Sequence, residues 1–158
     1  MQKITPFLWF DCKAEEAMNF YMSIFKNSKI VNIMRYGEAD PEKNGTVMSA
    51  VFELQGQEFI VINGGPQFTF SPAISFFVNC ETQAEVDEFW EKLSEGGKTN
   101  RCGWLDDKFG VSWQIVPTIL GEILQQEKDA EKSKKVMEAM MQMDKLDIAT
   151  LRQAYPSS

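Results

Sequence analysis

Gln114 is the residue whose type and setting most call for a chemical explanation, because it is a primary amide inside an otherwise apolar strand, Val111-Ser112-Trp113-Gln114-Ile115-Val116. A buried amide left without partners costs about 1 to 3 kcal/mol, so Gln114 is either satisfied by neighbouring backbone or presented to a ligand. The chain contains no histidine in its 158 residues, which removes every mechanism that needs an imidazole base, shuttle or metal ligand. Cys102, next to Arg101 and near Lys108, would need a stabilised thiolate to act as a nucleophile, and the usual cysteine dyad cannot form. Cys12, Cys80 and Cys102 are widely spaced with no C-x-x-C, which fits reduced thiols rather than a disulfide framework or a structural zinc site. Arg35 could pair with an anionic substrate, or with an acidic neighbour such as Glu38. Trp9, Trp104 and Trp113 could line an apolar pocket for a planar ligand or pack in the core.

The elements that must position these residues follow from period and punctuation. Lys3 to Phe10 reads as a strand, and Ala14 to Lys26 as a helix with Ala17, Phe20, Tyr21, Ile24 and Phe25 on one face. Strands are expected over Lys29 to Tyr36, Thr46 to Leu54 and Glu58 to Asn63, with a tight turn at Gln55-Gly56. Gly64-Gly65-Pro66 reads as a linker, because no helix start follows it to make a phosphate cradle. The pattern then restarts. Trp9-Phe10-Asp11-Cys12 is echoed by Phe77-Val78-Asn79-Cys80, and Ala14-Glu15 with Phe20-Tyr21 by Ala84-Glu85 with Phe89-Trp90. A second helix, Gln83 to Ser94, ends at Gly96-Gly97 and precedes a hairpin of Lys98 to Leu105 and Val111 to Pro117, with Asp106, Asp107 and Lys108 at its tip. This copy is shorter, so one strand is expected to be missing or irregular.

Beyond Pro117 only helical patterns remain, over Thr118 to Gln126, Ala130 to Met143 and Asp147 to Tyr155, with Asp129 and Asp147 as caps. Met137, Met140, Met141 and Met143 point to core packing or a contact with a second subunit. The division expected is a first βαβββ module over 1–66, a shortened second over 67–117, and a helical extension over 118–158. A net charge of −7 excludes a concentrated basic face, so neither nucleic acid nor an anionic membrane is an expected partner. No run approaches the roughly 20 apolar residues of a membrane span, and the N-terminal apolar run is too short for a signal peptide, which places the protein in the cytoplasm.

The segments I-T-P-F-L-W-F with A-E-E-A-M-N-F-Y, F-V-N-C-E-T-Q-A-E-V-D-E-F-W, G-W-L-D-D-K-F-G-V-S-W-Q-I-V-P and K-L-D-I-A-T-L resemble the PhnB-like group of the vicinal oxygen chelate, or glyoxalase-like, superfamily. That group carries the name 3-demethylubiquinone-9 3-methyltransferase. The resemblance implies an α+β fold in which two βαβββ modules curl into an open, U-shaped barrel around a central pocket, in a homodimer. In metal-dependent relatives four inward-facing side chains, commonly histidine and glutamate, hold a divalent cation. Carried over, the last-strand glutamate falls at Gln114, the first-strand histidine near Pro6 or Phe7, the fifth-strand histidine near Ala73 to Ser75, and the fourth-strand ligand near Ile62 or Asn63. Neutral amides and apolar side chains are poor ligands for a catalytic cation, so neither a metal nor another cofactor is expected. The expectation is therefore a protein that binds a small, partly aromatic molecule through Gln114, Trp9, Phe7, Asn63, Trp104 and Arg35, with no catalytic residue assigned. The alternatives are an enzyme of the family, either a metal-dependent isomerase, lyase or dioxygenase or the methyltransferase of its name, and a purely structural role for the C-terminal helices.

Overall fold

The computed structural model describes residues 2–155. It is an α+β protein of two four-stranded sheets, each with one covering helix, followed by three helices. The chain divides into two compact units, Met1–Thr69 and Phe70–Ser158.

The first unit runs β1 (Phe7–Phe10), α1 (Ala14–Ile24), β2 (Ser28–Arg35), β3 (Val47–Leu54) and β4 (Gln57–Asn63). Its sheet has the order β1-β4-β3-β2, with β1 parallel to β4 and the other pairs antiparallel. The first strand is shorter than its composition predicts, beginning at Phe7 rather than Lys3, because Pro6 has no N–H for the ladder and offers only its carbonyl, to Ile60. Gln55-Gly56 makes the expected turn, both residues having positive φ. Strand alternation places Phe10, Ala50, Phe52, Phe59 and Val61 under Ala14, Ala17, Met18 and Tyr21 of α1, all of them buried.

The second unit repeats the order as β5 (Ser75–Cys80), α2 (Gln83–Ser94), β6 (Lys98–Thr99), β7 (Trp104–Asp106) and β8 (Ser112–Pro117), with sheet order β5-β8-β7-β6. No strand is missing. The stretch predicted as one strand from Lys98 to Leu105 is split in two, because Cys102 and Gly103 take positive φ and Asn100 N–H closes back on the Trp104 carbonyl at 2.8 Å. The helix predicted at Gln83–Ser94 is present, and Thr82 caps it by accepting from Glu85 N–H at 3.2 Å.

Three helices close the chain: α3 (Thr118–Gln126), α4 (Ala130–Met141) and α5 (Ile148–Ala154). Asp129 and Asp147 cap α4 and α5 as expected, accepting from Glu131 N–H and Thr150 N–H. Val116, Leu120, Val136, Leu146 and Leu151 form their core, with Met140 and Met143 packed against it, while Met137 and Met141 face solvent. Cys102 and Gly103 donate to the carbonyls of Met143 and Asp144, both at 2.8 Å, so this region is tied into the second unit by backbone as well as by apolar contact. None of the helices among the described residues is long and apolar enough to cross a membrane.

Candidate functional site

Each sheet has one face covered by its helix and one left more open, and the pleat decides which candidates share a face. On the open face of the first sheet, Phe7 stands opposite Ile60, and Trp9 opposite Ile62. Phe7 is more than half exposed. Trp9 is held rigidly: its indole N–H donates to the Gly65 carbonyl at 2.9 Å, and Phe68 meets its ring edge-on with centroids 5.1 Å apart. Gly64 permits this, since a Cβ there would lie 2.3 Å from the indole. The glycine pair that reads as a linker therefore also seats Trp9.

Arg35 and Asn63 lie on the opposite, helix-covered side. Asn63 pairs in register with buried Phe10, and its amide is spent on backbone, accepting from Ala14 N–H at 2.9 Å and donating to the Val47 carbonyl at 2.9 Å. It supplies from β4 the cap that Lys13 cannot give α1. Arg35 grips Glu15 of α1 with both guanidinium nitrogens, at 2.7 and 3.1 Å, so its acidic partner is Glu15 and not Glu38. The Arg35 guanidinium, hydrogen bonded to Glu15, holds that carboxyl below its usual range.

In the second unit the open face carries a row of three residues in register, Phe77 on β5, Gln114 on β8 and Trp104 on β7. Gln114 is half-buried and its Nε2 donates to Ser75 Oγ at 2.9 Å. Its partner is thus a side chain, and among the described residues no backbone group bonds the amide. Phe77 is about half exposed at 53%. The neighbouring row is Ser75, Ser112 and Asp106, in which Ser112 Oγ donates to Asp106 Oδ1 at 2.6 Å. Trp113 points the other way. It is buried among Phe76 and the α2 side of the sheet, and its indole N–H donates to Asp107 Oδ2 at 2.9 Å.

Asp107 stands at the hairpin tip as the pattern predicts, and the structure adds that it is only 3% exposed, its Oδ1 accepting from Phe109 and Val111 N–H at 2.8 and 3.1 Å. The spacing Asp-x-x-Gly-x-x-Trp was the available signal, an acceptor three residues before a turn glycine and six before an indole donor on the returning strand. Cys80 is fully buried, and burial followed by the charge of Glu85 pushes its thiol up to about 12. A thiol so held is a core side chain and not a nucleophile.

The donors of each unit can be judged separately. In the first, Phe7 and Ile62 offer no lone pair; in the second, Ser75 and Gln114 offer one hydroxyl and one neutral amide, and neither set suits a catalytic divalent metal. Among the described residues no group of three histidine, cysteine, aspartate or glutamate side chains converges elsewhere. A separate cleft of about 370 Å³ lies where α2 and α5 begin, lined by residues including Thr82, Gln83, Asp147 and Arg152. Two of its polar side chains serve structure: Gln83 bridges the Leu146 carbonyl and Ile148 N–H, and Asp147 caps α5.

The 3-demethylubiquinone-9 3-methyltransferase family matches residues 2–116, stopping just before α3 and leaving the Lys145–Leu151 segment outside the match. No curated protein matches the chain. Among solved structures, the PhnB protein of Bacillus cereus is 49% identical, covering 73% of this chain and 99% of its own, with a TM-score of 0.69. A Pseudomonas aeruginosa protein at 20% identity has a TM-score of 0.63 over 74% of this chain and 98% of that one. The FosX fosfomycin resistance protein of Listeria monocytogenes, at 13% identity, has a TM-score of 0.50 over 72% of this chain and 89% of its own. The last two likenesses are of fold. With its paired βαβββ units and this match over most of its length, the chain belongs to the PhnB-like 3-demethylubiquinone-9 3-methyltransferase family.

Proposed function

We propose that this protein binds a small, partly aromatic molecule without the help of a metal, and that Gln114 orients the ligand. The observation that carries the reading is the Phe77–Gln114–Trp104 row: a half-buried amide, bonded to a serine hydroxyl, stands between two aromatic side chains on a sheet face not covered by α2. Aromatic rings supply broad contact at low entropic cost, and a single amide fixes orientation by donating and accepting. Phe7 and Trp9 on the open face of the first sheet suit the same kind of ligand. Asn63 and Arg35, engaged with α1, act as positioning residues for the first module. The layout proposed is a binding pair of modules, 1–66 and 67–117, with 118–158 as a stabilising extension, working in the cytoplasm as a homodimer. Light scattering that finds only an 18.1 kDa species at micromolar concentration contradicts the dimer.

Methyl transfer is favoured by the family's description. The usual site for S-adenosylmethionine is a glycine-rich loop between a strand and a helix of a doubly wound parallel sheet. Here those connections are Asp11-Cys12-Lys13 and Glu81-Thr82, and each sheet has a single parallel pair. The binding reading is tested by native mass spectrometry of the full chain purified from its own host. A retained molecule lost in Phe77→Ala or Gln114→Leu supports it. A bare chain mass, both as purified and after incubation with a host small-molecule extract, contradicts it.

A further inference from the structure

We infer that Asn44-Gly45, in the loop between β2 and β3, is a site of spontaneous covalent modification at which water replaces the Asn44 amide, while the fold spares the second Asn-Gly pair, Asn63-Gly64. An asparagine amide is lost when the backbone nitrogen of the next residue, having given up its proton, attacks Cγ. The N–Cγ bond forms, the Cγ–Nδ2 bond breaks, ammonia leaves with the proton, and a succinimide ring remains. Water then opens the ring at either carbonyl, giving aspartate or isoaspartate, so that amide plus water becomes acid plus ammonia with no oxidant or reductant. Glycine favours the attack, because it has no side chain to obstruct it and its backbone turns freely. Asn44 meets these requirements. It is exposed in a turn, and among the described residues its side chain has no hydrogen-bond partner. Gly45 has φ +83° with open space where a Cβ would stand, so nothing crowds the pair. Its N–H donates to the Tyr36 carbonyl at 2.9 Å, a bond at the exposed end of the hairpin that opens before the attack. Asn63-Gly64 has the same chemistry in a different setting. Asn63 Oδ1 accepts from Ala14 N–H and Nδ2 donates to the Val47 carbonyl, both at 2.9 Å, and Gly64 N–H donates to the Phe10 carbonyl at 2.9 Å. Modification at Asn44 reaches Arg35, whose Nη1 donates to the Gly45 carbonyl at 3.0 Å as well as to Glu15. Isoaspartate inserts a methylene into the main chain just before Gly45, which displaces both the N–H bonded to Tyr36 and the carbonyl bonded to Arg35.

The full-length protein is incubated in mildly alkaline buffer, folded and in urea, and the loss of each amide is followed by peptide mass mapping with detection of isoaspartate. In the folded protein Asn44 is expected to lose its amide at least about tenfold faster than Asn63, the factor imposed by releasing the two side-chain hydrogen bonds of Asn63. In urea the two rates should converge, since only the fold separates the pairs. Asn63 reacting as fast as Asn44 in the folded protein overturns the inference, and so does an Asn44 that stays intact there while it reacts in urea. A difference that persists undiminished in urea also overturns it, because the fold would then not be what spares Asn63. Asn44→Gln supplies a second readout at an exposed position. Its longer side chain closes a ring far less readily, so the variant is expected to keep its amide. Amide exchange at Gly45 should quicken with incubation in the unmodified chain and not in Asn44→Gln. Equal exchange at Gly45 in the two incubated proteins, with Asn44 converted in the first, overturns the effect on the Tyr36 and Arg35 bonds.

Discussion

Three donors converge on Asp107, from Phe109, Val111 and the Trp113 indole, and this explains why a charged residue can be almost fully buried beside a turn. Asp107→Asn keeps one acceptor oxygen but sets its NH2 against an N–H donor, so we predict a loss of about 1 to 3 kcal/mol in urea unfolding. A change below about 0.5 kcal/mol, the usual range for a surface substitution, would mean that the carboxylate does not organise the hairpin. Cys80 supplies a pH test. Its folded thiol is raised to about 12, so its contribution to stability is whole below the ordinary thiol range and is lost as pH rises from there towards 12. Stability should therefore decline above about pH 9, by no more than about 1.4 kcal/mol per pH unit from this group. A Cys80→Ala variant whose alkaline decline is as steep as that of the unmodified chain would assign the effect elsewhere. In thiol labelling of the native protein, exposed Cys12 should react first and Cys80 last. The sequence pointed directly to Gln114, because an amide in an apolar strand breaks the pattern. It hid Asn63, Arg35 and Trp113, because alternation alone does not say which face a helix will cover.

At the scale of elements, most boundaries could be read from period and punctuation. The helix at Gln83–Ser94 and the caps Asp129 and Asp147 could be read, whereas the Thr82 cap emerges only in the structure. The internal repeat was visible because both copies must bury the same helix face against the same strands. What sequence could not show was the split between β6 and β7, since a two-residue strand has no period and Cys102 does not advertise a left-handed conformation. The C-terminal attachment gives a prediction here. Asp147 is held below the usual carboxylate range first by Thr150 N–H and then by its hydroxyl, and Asp87 first by Gln83 and then by Lys145. Both acids therefore stabilise the fold above that range, and their contribution fades as pH falls through it. Amide exchange in α5 should quicken relative to α1 as pH drops from about 5 to about 3, after correction for intrinsic rates. Asp147→Ala should cost about 1 kcal/mol and remove most of that pH response. Unchanged α5 protection across this window would show that the cap is not what holds the helix.

For the whole molecule, the extension after residue 117 lies outside the family match yet is tied to the second unit by the Cys102 and Gly103 N–H groups, the Gln83 side chain and the Val116 core. A chain ending at Pro117 should accordingly melt at a lower temperature than the full protein, because removing residues 118–158 bares Val116 and orphans two backbone donors. Equal melting temperatures would make the helices a free appendage. The fold class was accessible because two copies of one pattern constrain each other, whereas ligand identity depends on shape above the sheets and leaves no period in the sequence. Recognition of a ligand without a catalytic cation is what sets the proposed function apart from the metal-dependent chemistry that the sequence resemblance implies for some relatives. Calorimetric titration of the full-length protein with Mn2+, Ni2+ and Zn2+, paired with thermal melting, tests this most directly. The expected result is no saturable one-to-one binding tighter than about 0.1 mM and no rise in melting temperature on adding metal. One-to-one binding that raises the melting temperature and is abolished by Gln114→Ala would contradict it.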